Sequence, residues 1–286
     1  MKLIGCGDSW CSGAEIYPPN EERNETLYNR TYTDPDLIRY REENRYLNKL
    51  GVLMNAEVVD LSKCSGSNDA IKRVLFEYLS QEGYFSGRDP SDIFVSIGWS
   101  SPERTELYYK KEWGFNPLHK RLENWMEIGP WSMYNMHIDD RADDDLREFL
   151  KIYCLNFWET AGFLHRYINT IWSVQQILEK FNIRYIMHQA FYHHFLPPES
   201  PTAWDDQKYK EKFNLINEAD KILWTQINRK TFVNIDDTET PTLHKLIIKL
   251  AGGDQTKVME DWHPNADGHT LISQELLKWI QEKNLL

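Results

Sequence analysis

The sequence predicts an α/β fold, a doubly wound three-layer α/β/α sandwich in one domain. Three observations predict it. Five short apolar runs are separated by stretches with helical spacing of apolar residues. Strands that alternate with helices build a parallel sheet whose right-handed crossovers cover both of its faces. No repeat, low-complexity tract or linker divides the 286 residues, a length within reach of a single α/β domain. The chain is 41% hydrophobic and 13% aromatic, which supplies apolar surface for a real core.

The first run, Lys2-Gly5, leads directly into Gly5-Cys6-Gly7-Asp8-Ser9-Trp10. Residues 10–35 follow as a polar insertion rich in Tyr, Asn and Pro. Helical spacing over Asp36–Leu50 precedes a second strand at Ala56–Leu61, and a helix over Asn68–Leu79 precedes a third at Ile93–Gly98. Residues 100–145 form a second insertion that carries Trp113, Trp125 and Trp131. Asp144–Phe181 has helical spacing and leads to a fourth strand, Arg184–His188. Asp205–Ile227 leads in the same way to a fifth, Thr231–Ile235. Helices over Thr240–Leu250 and Gly268–Lys283 complete the chain. Both insertions follow strand ends, where open α/β sheets bind ligands, so they are expected to roof a pocket.

With 33 Lys and Arg against 44 Asp and Glu, the net charge is −11. That excludes a duplex nucleic-acid binder, which needs clustered positive charge to displace counterions. Cys6, Cys11, Cys64 and Cys154 make neither a disulfide framework nor a CxxC zinc pair, and reduced thiols fit a cytoplasmic compartment. The N-terminus lacks the apolar core of a signal peptide, and no run reaches the length of a membrane span.

Two segments carry chemistry. Ser9 falls at a strand's C-terminal end among glycines that permit a tight turn, a place where a hydroxyl is exposed and backbone N–H groups are at hand. A serine hydroxyl is a weak nucleophile until a base takes its proton and an oxyanion site receives the charge. Near the other end lies Glu260-Asp261-Trp262-His263-Pro264-Asn265-Ala266-Asp267-Gly268-His269. The proline keeps His263 out of helical geometry, on a loop just before the last helix, and a carboxylate two or three residues earlier can fix the imidazole's tautomer.

Gly-Asp-Ser at one end and His-Pro-Asn with its preceding acids at the other, on an alternating α/β chain, resemble the SGNH/GDSL hydrolase superfamily. The resemblance implies a flavodoxin-like sheet of five parallel strands and a serine esterase that needs no cofactor. In it Ser9 is the nucleophile and His263 the base. Asp261 is the preferred acid, with Glu260 at the spacing the family uses most. The family's oxyanion donors map to the Ser9 N–H and to Gly66 in Ser65-Gly66-Ser67-Asn68. The third block departs from the pattern: the third strand ends in Gly98-Trp99-Ser100-Ser101-Pro102-Glu103-Arg104, without an asparagine. Asn68 or Ser100 could stand in for that donor, and Asn68 could equally cap a helix.

Trp10, Trp99 and Trp262 adjoin these residues as candidate pocket walls, and Arg104 as a clamp for a substrate anion or the partner of a nearby acid. His188, His193 and His194 lack the spacing of a metal site, although His188 or His193 could touch substrate. Asp139–Asp145 reads as a solvated loop leading into a helix. The expected function is hydrolysis of an ester, for instance an acetyl group on a carbohydrate, with a small-molecule or glycan substrate and no metal. An acyltransferase using the same acyl-serine, or a glycan- or protein-binding component on this scaffold, are the rival readings.

Overall fold

The structure, a computed structural model, describes residues 1–14, 16–18, 33–129, 142–190, 216–237, 239–260 and 263–286. Strand β1 (Lys2–Cys6) turns at Gly7 into the single-turn helix α1 (Ser9–Ser12). Helices α2 (Pro35–Asn44) and α3 (Tyr46–Leu53) replace the one helix predicted over 36–50. They part at Arg45, which takes extended backbone and turns its buried guanidinium towards Asp60. Strand β2 (Glu57–Asp60) leads to α4 (Asn68–Gln81), capped by Ser67, whose hydroxyl accepts the Ala70 N–H. The cap is therefore one residue earlier than Asn68.

All seven residues of β3 (Ile93–Trp99) are buried. The second insertion is built from β4 (Thr105–Tyr108), β5 (Gly114–Asn116), β6 (Arg121–Glu123) and β7 (Trp125–Ile128), with β4 antiparallel to β7 and β5 to β6. The stretch predicted as one helix over 144–181 is α5 (Asp144–Asn156) and α6 (Thr160–Lys180). Glu159 makes the break by accepting the Ala161 N–H on its carboxylate, a new N-cap. Strand β8 (Arg184–Gln189), α7 (Glu218–Gln226), α8 (Leu243–Leu250), β9 (Met259–Glu260), β10 (His263–Pro264) and α9 (Ala266–Glu282) follow. Residues 205–215 of the predicted helix before the fifth strand lie outside the described residues.

The central sheet has the order β2-β1-β3-β8, and every pair in it is parallel. The predicted fifth strand contributes only a parallel bridge between Met187 and Phe232. A 3-10 turn at Arg229–Thr231 precedes that bridge, and Asn234 at φ 54° follows it in left-handed geometry, so the segment cannot extend into a strand.

Alternation along each strand sorts the core into two layers. Leu3, Phe94 and Ile186 face α3, α8 and α9, while Ile4, Val95 and Met187 face α4, α6 and α7. Both faces are buried, which is why these strands read as unbroken apolar runs. The chain is a three-layer α/β/α sandwich.

Ion pairs fasten the β4–β7 insertion to this frame. From α4, Arg73 grips Glu106 through Nε and Nη2 (2.7 and 2.9 Å) and Glu123 through Nη1 and Nη2 (3.1 and 2.7 Å). Lys63, in the loop after β2, pairs with Glu127 of β7. Burial raises the Glu106 carboxyl's pKa, and the Arg73 guanidinium opposes it. Removing the cation would leave a buried carboxylate uncompensated, at a cost of about 3 kcal/mol. Arg73→Ala is therefore expected to lower the urea midpoint and to speed proteolysis within 105–128; an unchanged midpoint would show the clamp to be superfluous.

Candidate active site

The site forms where β1 and β3 end. A Cβ at Gly7 or at Gly98 would overlap the Cys11 sulfur, so α1 can seat against both strand ends only because these positions are glycine. Ser9 is the first residue of α1, and Asp8 caps the helix by accepting the Trp10 N–H at 3.0 Å. His263 arrives from the far end of the chain, and its Nε2 lies 2.9 Å from Ser9 Oγ.

The histidine is held by its neighbours in sequence. β9 and β10 form a two-residue antiparallel ladder in which Glu260 is opposite His263 and Met259 opposite Pro264. Asn265 then caps α9 by accepting the Gly268 N–H at 2.9 Å. Directly opposed residues of such a ladder project to the same face, so Glu260 and His263 share one. Asp261 and Trp262 lie outside the described residues, as do Trp131, His193, His194 and Asp139–Arg141.

Asp8 is fully buried beside Ser9, and its second oxygen accepts from Arg104 Nη1 at 3.3 Å. Burial raises the Asp8 pKa; Arg104, the Trp10 N–H, the Ser100 hydroxyl and His263 all pull it back. Arg104 thus offsets the charge of the helix cap next to the serine, the acid-pairing alternative of the two read from sequence. Nothing local to Arg104 marks which acid it meets, because the partners are 96 residues apart.

The remaining predicted donors are otherwise engaged. The Gly66 N–H donates to the Lys63 carbonyl at 2.9 Å, in a turn with Ser65 at φ 62°. Asn68 donates from Nδ2 to the carbonyls of Ser100 and Ser101, both at 3.1 Å, and accepts the Ser100 N–H at 2.8 Å. Both hydrogens of its amide are used. Ser100 is 2% exposed and directly follows β3.

Trp10 and Trp99 are not pocket walls. Each is 1% exposed, and they lie in opposite core layers: Trp10 edge-on to His244, Trp99 edge-on to Tyr167. Adjacency in sequence to a site residue misled because successive side chains leave a strand or a helical turn in different directions. His188 is also buried. Its Nε2 meets the Tyr46 hydroxyl at 3.0 Å, and that hydroxyl meets Cys11 Sγ at 2.8 Å. Tyr46 donates its backbone N–H to His269 Nδ1 at 3.2 Å and stacks on that ring. This layer under α1 escaped the sequence reading, although His269 stands in the C-terminal motif itself. Burial depresses the pKa of His188 and His269 to about 3 and of His244 to about 4. Burial also pushes the Cys11 thiol far up, so it is not a nucleophile at neutral pH.

Among the described residues no group of three or more His, Cys, Asp or Glu is placed to hold a metal ion, and no helix is long and apolar enough to cross a membrane.

Fold and site together define a three-layer α/β/α protein with a serine–histidine pair at the C-terminal edge of a parallel sheet. Residues 25–200 match the model of DUF6071, described as a family of unknown function, and the chain belongs to that family. No curated protein matches the sequence. Among solved structures, a variant of Axe2, an acetyl-xylooligosaccharide esterase from Geobacillus Stearmophilus, is 13% identical at a TM-score of 0.45, with 98% of this chain and 93% of that one covered. LAE5, an alpha/beta hydrolase enzyme from the metagenome of Lake Arreo, Spain, is 11% identical at a TM-score of 0.44, covering 98% and 94%. The psychrotrophic esterase EstA from Pseudoalteromonas sp. is 12% identical at a TM-score of 0.41, covering 99% and 98%.

Proposed function

We propose that the chain is an SGNH-type serine esterase that works through an acyl-serine. The observation that carries this reading is the 2.9 Å approach of His263 Nε2 to Ser9 Oγ at the C-terminal ends of the sheet strands. His263 takes the hydroxyl proton as Ser9 Oγ bonds to the ester carbonyl, whose π electrons move onto oxygen. The tetrahedral intermediate collapses, His263 hands the proton to the departing alcohol, and water repeats the sequence to release the acid and free Ser9.

The oxyanion falls to the Ser9 N–H, at the first position of α1, and to the Ser100 hydroxyl, whose single hydrogen turns from Asp8 to the developing charge. Gly66 contributes only by sharing the hydrogen it gives to Lys63, and Asn68 has no hydrogen to spare. Asp261 supports the imidazolium, with Glu260 across the ladder as the competing acid. Arg104 tunes Asp8 rather than reaching substrate. Ser9 is only 5% exposed, which favours a small acyl group such as acetyl, and the half-buried Trp113 and Trp125 of the insertion suit a carbohydrate as the alcohol.

Hydrolysis of nitrophenyl acetate, butyrate and octanoate, with fluorophosphonate labelling, tests the reading. Labelling of Ser9 and a preference for acetate are the expected results; absence of both labelling and turnover refutes it. Asp261→Asn should then cut kcat by about 10³ or more, and Glu260→Gln far less; the opposite ranking makes Glu260 the acid. Acyl products on an added sugar would turn the assignment to a transferase. The engaged Gly66 and Asn68 donors favour a second reading, a binding component on this scaffold, which predicts an inert Ser9.

A further inference from the structure

We infer that Asn68 is a positioning residue that holds Ser100 beside Ser9, an inference that rests on the esterase reading. The ladder between β3 and β8 ends at Trp99 opposite Gln189, so the backbone of Ser100 and Ser101 has left the sheet when it reaches Asp8, the residue before Ser9. Asn68 continues the pairing with its side chain. An asparagine amide carries the same donor and acceptor groups as a peptide. It occupies the place of a further strand by accepting the Ser100 N–H and donating to the carbonyls of Ser100 and Ser101. The amide is 4% exposed, so these bonds form out of competition with water.

Asn68 is itself anchored. It is the first residue of α4, behind the Ser67 cap and one turn ahead of the Arg73 clamp. The backbone it fixes carries the Ser100 hydroxyl, whose neighbour is the Asp8 carboxylate that caps the serine's own helix. The third block of this chain is therefore divided. The asparagine stands after the second strand, and the hydroxyl it places stands after the third. An asparagine holding two carbonyls and an N–H of one loop acts on the reaction through that loop.

A double-mutant cycle on nitrophenyl acetate hydrolysis separates this role from direct donation. Asn68→Ala and Ser100→Ala are each expected to lower kcat by about 10²-fold with KM within about twofold, the loss typical of one oxyanion donor. The double variant should be within about threefold of either single, because the two residues act as one device. Multiplied losses in the double variant, or an unchanged kcat in Asn68→Ala, would overturn the inference.

Amide hydrogen exchange supplies a readout that does not need turnover. The Ser100 amide should lose at least about tenfold of its protection in Asn68→Ala, and unchanged protection also overturns the inference. If the alanine variant does not fold, Asn68→Asp takes its place. Its carboxylate can still accept the Ser100 N–H but repels both carbonyls, so the same fall in kcat is expected, with Ser100 protection largely kept. If wild type lacks turnover while exchange shows the clasp, the esterase reading has failed and the clasp has not.

Discussion

Replacing Ser9 with alanine is expected to lower kcat/KM for short aryl esters by about 10⁴-fold or more while leaving the fold intact. Neither neighbouring nucleophile on α1 can take over. Cys11 is held as a buried neutral thiol, and Ser12 Oγ donates to the Ser9 carbonyl at 3.1 Å, on the next turn of the backbone rather than at the imidazole. Without an attacking hydroxyl, His263 has no proton to take, so His263→Ala should be nearly as damaging. The double variant should be little worse than either single, since the two act as a unit. The structural cost is small: one part-buried hydrogen bond between neutral groups contributes about 1 kcal/mol. Steady-state kinetics with thermal melting checks both halves. Turnover within about tenfold of wild type in Ser9→Ala would remove the serine from the chemistry.

Acid is expected to unfold this protein steeply, through three buried histidines outside the Ser9–His263 pair. His188, His244 and His269 are 1%, 7% and 0% exposed, and their pKa values fall to about 3, 4 and 3 in the folded chain. The cause is chiefly burial; for His269, His263, Lys49 and Arg45 add repulsion, and for His244, Lys245 does. In the unfolded chain each would titrate near 6.5. A depressed folded pKa places the stability above the unfolded value. It is fully present above about pH 6.5 and is lost as the pH falls towards 4 and 3, because only the unfolded chain takes up the protons. Each histidine contributes on the order of 1.4 kcal/mol per pH unit in that window, so three together contribute about 4. Urea titrations at pH 7, 6 and 5 should show that slope. His188→Gln or His269→Gln should remove about a third of it, whatever it does to stability at pH 7. A flat profile would mean that the pocket admits protonated imidazole without unfolding.

What the sequence revealed and what it hid divide along a physical line. Leu3, Val95 and Ile186 lie in strands buried on both faces, so local composition alone marks them. Phe232 lies in an equally apolar run, yet Asn234 turns the chain aside after one bridge, and a single left-handed residue leaves little trace in hydropathy. The helix breaks at Arg45 and Glu159 come from single side chains, one pairing with Asp60 of β2 and the other capping the helix that follows, which periodicity does not detect. Ser9 and His263 were legible because each sits in a local motif that fixes its backbone, a glycine turn before a helix and a proline before an N-cap. The donors were not. Whether Asn68 faces substrate or holds Ser100 depends on a contact 32 residues away, and whether Arg104 clamps a ligand or an aspartate on one of 96. Trp10 and Trp99 show the converse: each adjoins a candidate site residue along the chain, yet its side chain points into a core layer.

The distance in sequence between Ser9 and His263 bears on how the molecule is made. The two are 254 residues apart, among the most remote contacts this chain can form, and closing so long a loop is entropically costly until intervening structure has shortened it. The core layer that Leu3 of β1 faces is complete only once α9, with His269 against Tyr46, has packed over α3. During synthesis from the N-terminus, the pairing of Ser9 with His263 waits until residues 263–286 have emerged and docked. Gain of ester hydrolysis during refolding would therefore time the last long-range step, and should lag the recovery of helical signal measured in the same sample.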